Sequence, residues 1–186
     1  MSAVLKPRST TYDDLIALPE NRVGEIIEGT LYSQPRPASK HARSNSALGG
    51  ELFPRFDKGD GGPGGWWILT EPELHLGENI LVPDLAGWRR ERMPVYPDVA
   101  WFELAPDWIC EILSPSTARL DRTRKMPIYA AAGVQHLWLI DPDLRTLEAY
   151  ENQQGRWAVL GAHADQEQVR VPPFDAVALE LSGLWA

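Results

Sequence analysis

The chain has 186 residues, of which 44% are hydrophobic and 24% charged, and its formal net charge is −8. This length and balance predict one globular domain over residues 1–186 and exclude a disordered chain. No apolar run reaches the roughly 18 residues that a membrane-spanning helix needs. The single cysteine, Cys110, cannot form an internal disulfide. This cysteine usage is typical of a reducing compartment, so we expect a cytoplasmic protein.

The charge distribution supports two interpretations of nucleic-acid binding. The excess of acid argues against it, because phosphate contacts need lysine and arginine. However, the basic residues cluster in residues 36–58, 89–92 and 119–125, whereas the last quarter of the chain, from Asp141, has an excess of acid. The folded protein therefore has either a basic face beside an acidic one or ordinary solvated faces.

The first third of the chain predicts a helix, a strand and a second helix. Residues 11–18 have a short helical pattern, and residues 23–32 predict a strand with a turn or bulge at Gly29-Thr30. Apolar residues then recur at helical spacing over residues 39–56. The glycine-rich segment 57–65 lacks a Gly-Lys-Ser or Gly-Lys-Thr ending, so it predicts a loop that does not bind phosphate.

The middle of the chain is dominated by β-type patterns. We expect strands over residues 66–69, 74–76, 80–88 and 108–113. The segment 89–107, which contains Pro94, Pro97 and Pro106, predicts a loop. This loop either covers a functional site or simply lies at the surface.

A helix is predicted to begin near Ala118, directly after the strand over residues 108–113. In that helix Asp121 and Lys125 lie one turn apart on one face. Pro127 is expected to kink or divide it, and Gly133 is a natural C-terminal residue. A strand over residues 134–140, a hairpin of 147–150 with 156–160, and a final strand within 169–186 complete the chain. The sum predicts an α/β fold with a central mixed sheet flanked by helices.

Two carboxylates stand out from the apolar strand patterns. Glu111 lies among apolar residues on both faces of its strand, where a buried unpaired charge would cost several kcal/mol. It is therefore either paired in a salt bridge or bound to a metal. Asp84 follows Val82-Pro83, and a Pro-Asp pair is common in turns. Together, two such side chains on neighbouring strands can hold Mg²⁺, which prefers oxygen ligands and lowers the pKa of a bound water.

A lysine is missing where a Pro-Asp and Glu-x-Lys nuclease site would have one. That position is Leu113, and the next lysine is Lys125. Phosphodiester cleavage needs positive charge near the reacting phosphate. Lys125 is the candidate for this charge, because the strand of Glu111 leads directly into its helix.

These residues resemble the PD-(D/E)xK nuclease superfamily and, within it, the Uma-two family. The resemblance covers nearly the whole chain. Its most specific part begins with Glu111-Ile112-Leu113-Ser114-Pro115-Ser116-Thr117 and continues through Asp121, Lys125, Tyr129, Gly133-Val134 and Trp138-Leu139-Ile140-Asp141-Pro142. Shorter matches are residues 11–15, residues 25–31, His41 and Val82-Pro83-Asp84.

The resemblance implies a restriction-endonuclease-like fold with a metal site. Asp84 and Glu111 would be ligands of Mg²⁺, with Mn²⁺ as an alternative ion, and the Ile112 carbonyl would be a third ligand. Lys125, migrated onto the helix, would replace the lysine absent at position 113. The alternative is that Lys125 forms only an ordinary ion pair with Asp121.

Three further residues would complete the implied site. Glu25 or Glu28 would add a carboxylate from the first strand, and His41 would orient a phosphate or a water. The alternatives are that both glutamates are surface residues beside an apolar pair and that His41 is a polar residue at a helix N-terminus.

Three functions remain open from the sequence. The first is a Mg²⁺-dependent endonuclease acting on DNA, as a homodimer because cutting two strands favours paired active sites. The second is a nuclease-fold protein that has lost turnover and serves as a binding or structural protein. The third is a metal-dependent hydrolase of a phosphate compound other than nucleic acid. The net charge favours the second, whereas the set of Asp84, Glu111 and Lys125 favours the first.

Overall fold

The structure, a computed structural model, describes residues 10–35 and 38–185. Arg36, which belongs to the first basic stretch, lies outside them. The helices are α1 (Tyr12–Ile16), α2 (Ser39–Leu52), α3 (Ala118–Leu120) and α4 (Met126–Ala131), with π-helical segments at Phe53–Lys58 and Asp121–Lys125 and a 3₁₀ turn at Leu181–Leu184. The strands are β1 (Arg22–Ile27), β2 (Thr30–Pro35), β3 (Trp66–Thr70), β4 (Leu74–Leu76), β5 (Asn79–Leu81), β6 (Leu85–Arg89), β7 (Trp108–Ile112), β8 (His136–Asp141), β9 (Thr146–Gln153), β10 (Arg156–Ala164), β11 (Gln168–Val169) and β12 (Leu179–Glu180).

A six-stranded sheet forms the centre of the fold, in the order β10-β9-β8-β7-β6-β3. Strands β7 and β8 are parallel and are joined by the helical crossover α3–α4, whereas the other neighbours are antiparallel. The apolar run of β7 reflects burial on both faces, as parallel strands under a crossover helix require. The predicted central mixed sheet flanked by helices is therefore confirmed.

The two faces of β7 contribute to two separate cores. Cys110 and Ile112 belong to the core under α2, together with Leu48. Ile109 and Leu113 face the other way, into the core that contains Tyr129 of α4. Because side chains alternate along a strand, Glu111 points to the same side as Ile109 and Leu113, toward the crossover helix.

A smaller sheet has the order β2-β1-β5-β4. Its strands differ from two of the predicted ones. The strand predicted over residues 23–32 is a hairpin, with a turn at Glu28 and Gly29, whose φ angles are 51° and 75°. Positive φ at both central residues is the geometry that matches the twist of two antiparallel strands. The strand predicted over residues 80–88 is divided into β5 and β6, because Pro83 has no N–H for a ladder. Val82-Pro83-Asp84 is thus the segment where the chain passes from the small sheet to the central one.

The crossover helix accommodates Pro127 with a π-helical segment directly before it. Its helical residues run without interruption from α3 through Asp121–Lys125 into α4. A proline removes one backbone donor and its ring crowds the preceding turn, and the wider π turn lies directly before it. Both Asp121 and Lys125 are buried in this segment. Pro127 therefore does not expel Lys125 from the interior.

The remaining predicted elements differ mainly in length. The hairpin β9–β10 is longer than predicted, and the predicted final strand consists of the short strands β11 and β12 followed by the 3₁₀ turn. Residues 90–107 form neither helix nor extended strand pairing apart from a bridge between Phe102 and Leu74. No helix in residues 10–35 and 38–185 has the length and apolar character needed to cross a membrane.

The contact between α2 and the central sheet can be tested with a matched pair of leucines. Leu48 is fully buried and Leu144 is 70% exposed. We expect Leu48→Ala to lower the free energy of unfolding by about 2–5 kcal/mol, because it leaves a cavity. Leu144→Ala should change it by less than about 0.5 kcal/mol. Urea unfolding measures both, and equal values for the two variants would contradict the packing described.

Candidate active site

A cavity of about 350 Å³ lies beside the C-terminal end of β7 and is lined by acidic side chains. Asp84 enters from the segment between the sheets, Glu111 from β7 and Asp121 from the crossover helix. Lys125 and His41 line the same cavity. Elements distant in sequence thus converge on one space. None of residues 89–107 lines it, so the interpretation of that loop as a cover over the site is wrong.

Lys125 lies at the centre of this cluster and is only 2% exposed. Its Nζ atom is 2.8 Å from Glu111 Oε1, 2.9 Å from Glu25 Oε1 and 3.5 Å from Asp121 Oδ1. Burial alone would lower the pKa of Lys125, but Glu111 and Glu25 outweigh that effect and hold the pKa well above its ordinary value. Lys125 is therefore a charged ammonium. The i,i+4 contact with Asp121 is the longest of its three contacts, so it does not draw the amine away from Glu111.

Two side chains contact one oxygen of Glu111, one by an ion pair and one by a hydrogen bond. Besides the Lys125 ammonium, the Tyr129 hydroxyl donates to Glu111 Oε1 over 2.6 Å. Burial raises the pKa of the Glu111 carboxyl well above its ordinary value, although Lys125 acts in the opposite direction. Glu25, Glu111 and Asp121 surround one ammonium, and all are buried. The cluster therefore carries more acid than its own cation neutralises.

Glu25 connects the lysine to the Pro-Asp segment. Its Oε1 forms an ion pair with the Lys125 ammonium at 2.9 Å and accepts a hydrogen bond from the backbone N–H of Val82 over 2.9 Å. Val82 comes two residues before Asp84, so Glu25 joins the crossover helix to the segment that carries Asp84. Glu28, in contrast, is exposed at the β1–β2 turn and pairs with Arg124 over 2.6 Å. Of the two predicted glutamates, Glu25 contacts Lys125, whereas Glu28 lies away from the cavity, and a role of Glu25 in the site stays a prediction.

Asp84 is fixed by both of its oxygens. Its Oδ2 accepts from the backbone N–H of Ile112 over 2.7 Å, which secures it to the strand of Glu111. Its Oδ1 lies 3.2 Å from His41 Nε2. Burial lowers the pKa of His41, but the hydrogen bond and charge of Asp84 outweigh it and raise the pKa overall. His41 therefore contacts the Pro-Asp carboxylate directly from the first turn of α2.

The donor set suits a hard divalent cation with an incomplete protein shell. Within residues 10–35 and 38–185, no group of three or more His, Cys, Asp or Glu side chains is arranged to hold a metal ion. Mg²⁺, however, is commonly held by one or two carboxylates, with waters and substrate phosphates as its other ligands. The oxygens of Asp84 and Glu111 at one cavity fit this pattern. The single thiol, Cys110, is buried on the other face of β7, so the cavity offers no sulfur ligand.

Two hydrogen bonds that organise the cluster are not predicted by the sequence pattern: one from Tyr129 to Glu111 and one from the Val82 N–H to Glu25. Tyr129 formed part of the family-like string, and its spacing of four from Lys125 could have placed both on one helix face. The backbone N–H of Val82 could not have been found, because its bond to Glu25 depends on the pairing of β1 with β5.

Most basic side chains of the three basic stretches are paired on the described surface. Most of their side chains are engaged by acidic partners within the chain, namely in Lys40–Asp143, Arg55–Glu51, Arg90–Asp57, Arg92–Asp107, Arg122–Glu148 and Arg124–Glu28. Arg43 donates to the Gly183 carbonyl, and Arg89 lies over the Trp66 ring. Of the two interpretations of charge, the structure favours ordinary solvated faces over a basic one.

The buried ammonium can be tested by removing it. We expect Lys125→Met to lower the free energy of unfolding by about 3–5 kcal/mol, since it leaves buried carboxylates without their cation. The control is Arg124→Met, whose ion pair with Glu28 is exposed and should contribute less than about 1 kcal/mol. Urea unfolding in EDTA measures both variants. A loss for Lys125→Met no larger than that of the control would contradict the buried cluster.

A comparison with solved structures bears on the fold. A crystal structure described as that of "a putative nuclease belonging to DUF820" from Anabaena variabilis ATCC 29413 matches with a TM-score of 0.74 and 29% identity, covering 94% of this chain and 97% of that one. This match confirms the predicted nuclease-like α/β fold. Curated proteins give no significant match.

The family comparison covers the residues of the cavity as well as the fold. The model described as "Uma2: Putative restriction endonuclease" matches residues 10–182. This span includes His41, Asp84, Glu111 and Lys125. The resemblance noted from the sequence is thereby confirmed, and the chain belongs to the Uma2 family.

Proposed function

We propose that this protein is a Mg²⁺-dependent endonuclease that hydrolyses phosphodiester bonds of DNA, with Mn²⁺ as an alternative ion. One observation carries the proposal. The strand of Glu111 has no lysine, but Lys125 Nζ of the crossover helix lies 2.8 Å from Glu111 Oε1, at the cavity that Asp84 also lines. The nuclease-like fold and the family support the same reaction class.

The residues assigned to the metal are Asp84 and Glu111, with the Ile112 carbonyl as a third oxygen. When bound, a divalent ion supplies a water of lowered pKa and positive charge for the phosphate oxygens. His41 holds Asp84 Oδ1, and the Ile112 N–H holds Asp84 Oδ2. These two contacts keep the carboxylate in place before substrate arrives, which is the preorganisation that electrostatic catalysis requires.

Lys125 contributes charge from within the protein. At a buried position charges act through a lower effective dielectric than in water, and the carboxylates around the ammonium offset much of its field, so Lys125 would act on a phosphate by direct contact. Glu25 and Glu111 occupy its two shortest contacts, and the 3.5 Å contact with Asp121 is the weakest. Asp121 is therefore the partner that a phosphate oxygen would replace most readily.

A nuclease fold without turnover remains the second candidate, and the surface charge favours it. The basic side chains that would contact DNA phosphates are engaged by acidic partners. Weak DNA binding alone does not separate the candidates, because an active enzyme can also bind weakly. Turnover in the presence of metal separates them. If the protein is active on both strands, we propose that it works as a homodimer, which analytical ultracentrifugation can examine.

The assignment of the carboxylates predicts the loss of cleavage in two single variants. We expect the wild type with Mg²⁺ or Mn²⁺ to nick supercoiled plasmid, EDTA to stop it, and Asp84→Asn or Glu111→Gln to lower the rate by at least about 100-fold, because each removes a charged ligand. Glu148→Gln is the matched control, since Glu148 pairs with Arg122 outside the cavity, and it should retain activity. Equal nicking by wild type and Glu111→Gln would mean that another site or a contaminant cleaves the plasmid.

The paired basic side chains predict a shallow salt dependence of DNA binding. In EDTA, we expect the plot of log Kobs against log salt to have a slope no steeper than about −3, since each neutralised phosphate contributes about −0.9. Asp143→Asn releases Lys40 from its ion pair and should make the slope steeper if Lys40 lies at the DNA. Fluorescence anisotropy of a labelled duplex measures it. A wild-type slope as steep as about −6 would show that the paired basic side chains nevertheless bind DNA phosphates, and would contradict this prediction.

A further inference from the structure

We infer that Tyr129 is a positioning residue for the proposed metal site, holding Glu111 so that one carboxylate oxygen stays directed into the cavity. The inference rests on the proposed function for its metal, but not on which nucleic acid is cleaved. It assigns a function to a fully buried hydroxyl that neither the family match nor the packing of the core explains.

The contacts of Glu111 are divided unequally between its two oxygens. Oε1 accepts a hydrogen bond from the Tyr129 hydroxyl over 2.6 Å and forms an ion pair with the Lys125 ammonium at 2.8 Å. Within the described parts of the chain, no hydrogen bond involves Oε2, and this atom is not among the buried polar atoms without a partner. Since Glu111 lines the cavity, Oε2 is the oxygen that it presents there.

Two donors on one oxygen restrict the rotation of the carboxylate. With Lys125 alone, the carboxyl group could turn about its terminal bond and exchange its two oxygens at the ammonium. The Tyr129 hydroxyl donates a hydrogen bond to the same oxygen, so an exchange would break that hydrogen bond as well as the shortest ion-pair contact. The free oxygen is therefore kept toward the cavity, as a metal ligand must be before the ion arrives.

The ring of Tyr129 is itself held rigidly. It is fully buried and packs in the core that contains Ile109, Leu137 and Leu139. It lies on α4, four residues after Lys125, so the crossover helix delivers both donors to Glu111 from neighbouring positions on one face. A phenylalanine would fill the same core, and only the hydroxyl would be missing.

This arrangement offers a clean test, since a second tyrosine has the same chemistry elsewhere. The Tyr150 hydroxyl donates to Glu148, which also pairs with a cation, Arg122. We expect Tyr129→Phe to weaken Mn²⁺ binding about tenfold, within the range seen when the hydrogen-bond partner of a ligand is removed. Tyr150→Phe should stay within about twofold of the wild type. Electron paramagnetic resonance of free Mn²⁺, titrated with protein in the absence of DNA, gives the Kd.

The outcomes separate this inference from the proposed function. If the wild type binds Mn²⁺ and Tyr129→Phe binds it equally well, Tyr129 serves packing alone and the endonuclease proposal stands. If the wild type with full native structure binds no Mn²⁺, the metal site itself is refuted, and this inference with it. If Tyr129→Phe and Tyr150→Phe weaken binding alike, the effect is general and the positioning role is again refuted.

A measurement on the wild-type side chains covers the case in which Tyr129→Phe does not fold. Protein labelled with 3-fluorotyrosine gives one ¹⁹F resonance for each tyrosine, and the variants of the other tyrosines assign them by elimination. Titration with diamagnetic Mg²⁺ should shift the Tyr129 resonance and leave that of Tyr150 in place. A Tyr129 resonance that does not respond while Mg²⁺ binds would overturn the inference.

Discussion

The burial of one ammonium among carboxylates is the constraint on which the rest of this structure depends. Taking Lys125 out of water is tolerable only because Glu111 and Glu25 lie within 3 Å of it. Those two partners come from different sheets, so the ion pairs also fix how the small sheet meets the central one. The same contacts that stabilise the fold thus assemble the cavity, and neither can be altered without the other.

Backbone irregularities place the groups of the cavity. Pro83 ends the pairing of β5 and sends the chain into β6, which leaves Asp84 at the crossing between sheets. The π-helical turn before Pro127 keeps Lys125 inside the helix that covers β7. In both cases a residue of the site lies within two positions of a proline that breaks regular hydrogen bonding. Local departures from ideal geometry are typical of functional positions.

The sequence predicted the central mixed sheet and the helix that carries Lys125, because local periodicity and a specific family-like string determine them. Alternation along residues 108–113 already indicated that Glu111 points into a core and needs a partner. It did not predict that residues 80–88 are two strands in different sheets, since Pro83 can end pairing or merely interrupt it. Nor could it separate Glu25 from Glu28, which differ only in whether β1 or its turn carries them. Strand partners distant in the chain decide such questions, and periodicity contains no information about them.

Leu113 has a consequence for any attempt to redesign this site. It is 3% exposed and packs in the same core as Tyr129, so this strand position is part of the hydrophobic interior. A lysine introduced there would bring a second buried charge into a cluster already organised around Lys125. Moving the cation from the helix to the strand would therefore require changes in the core and in the charge cluster together.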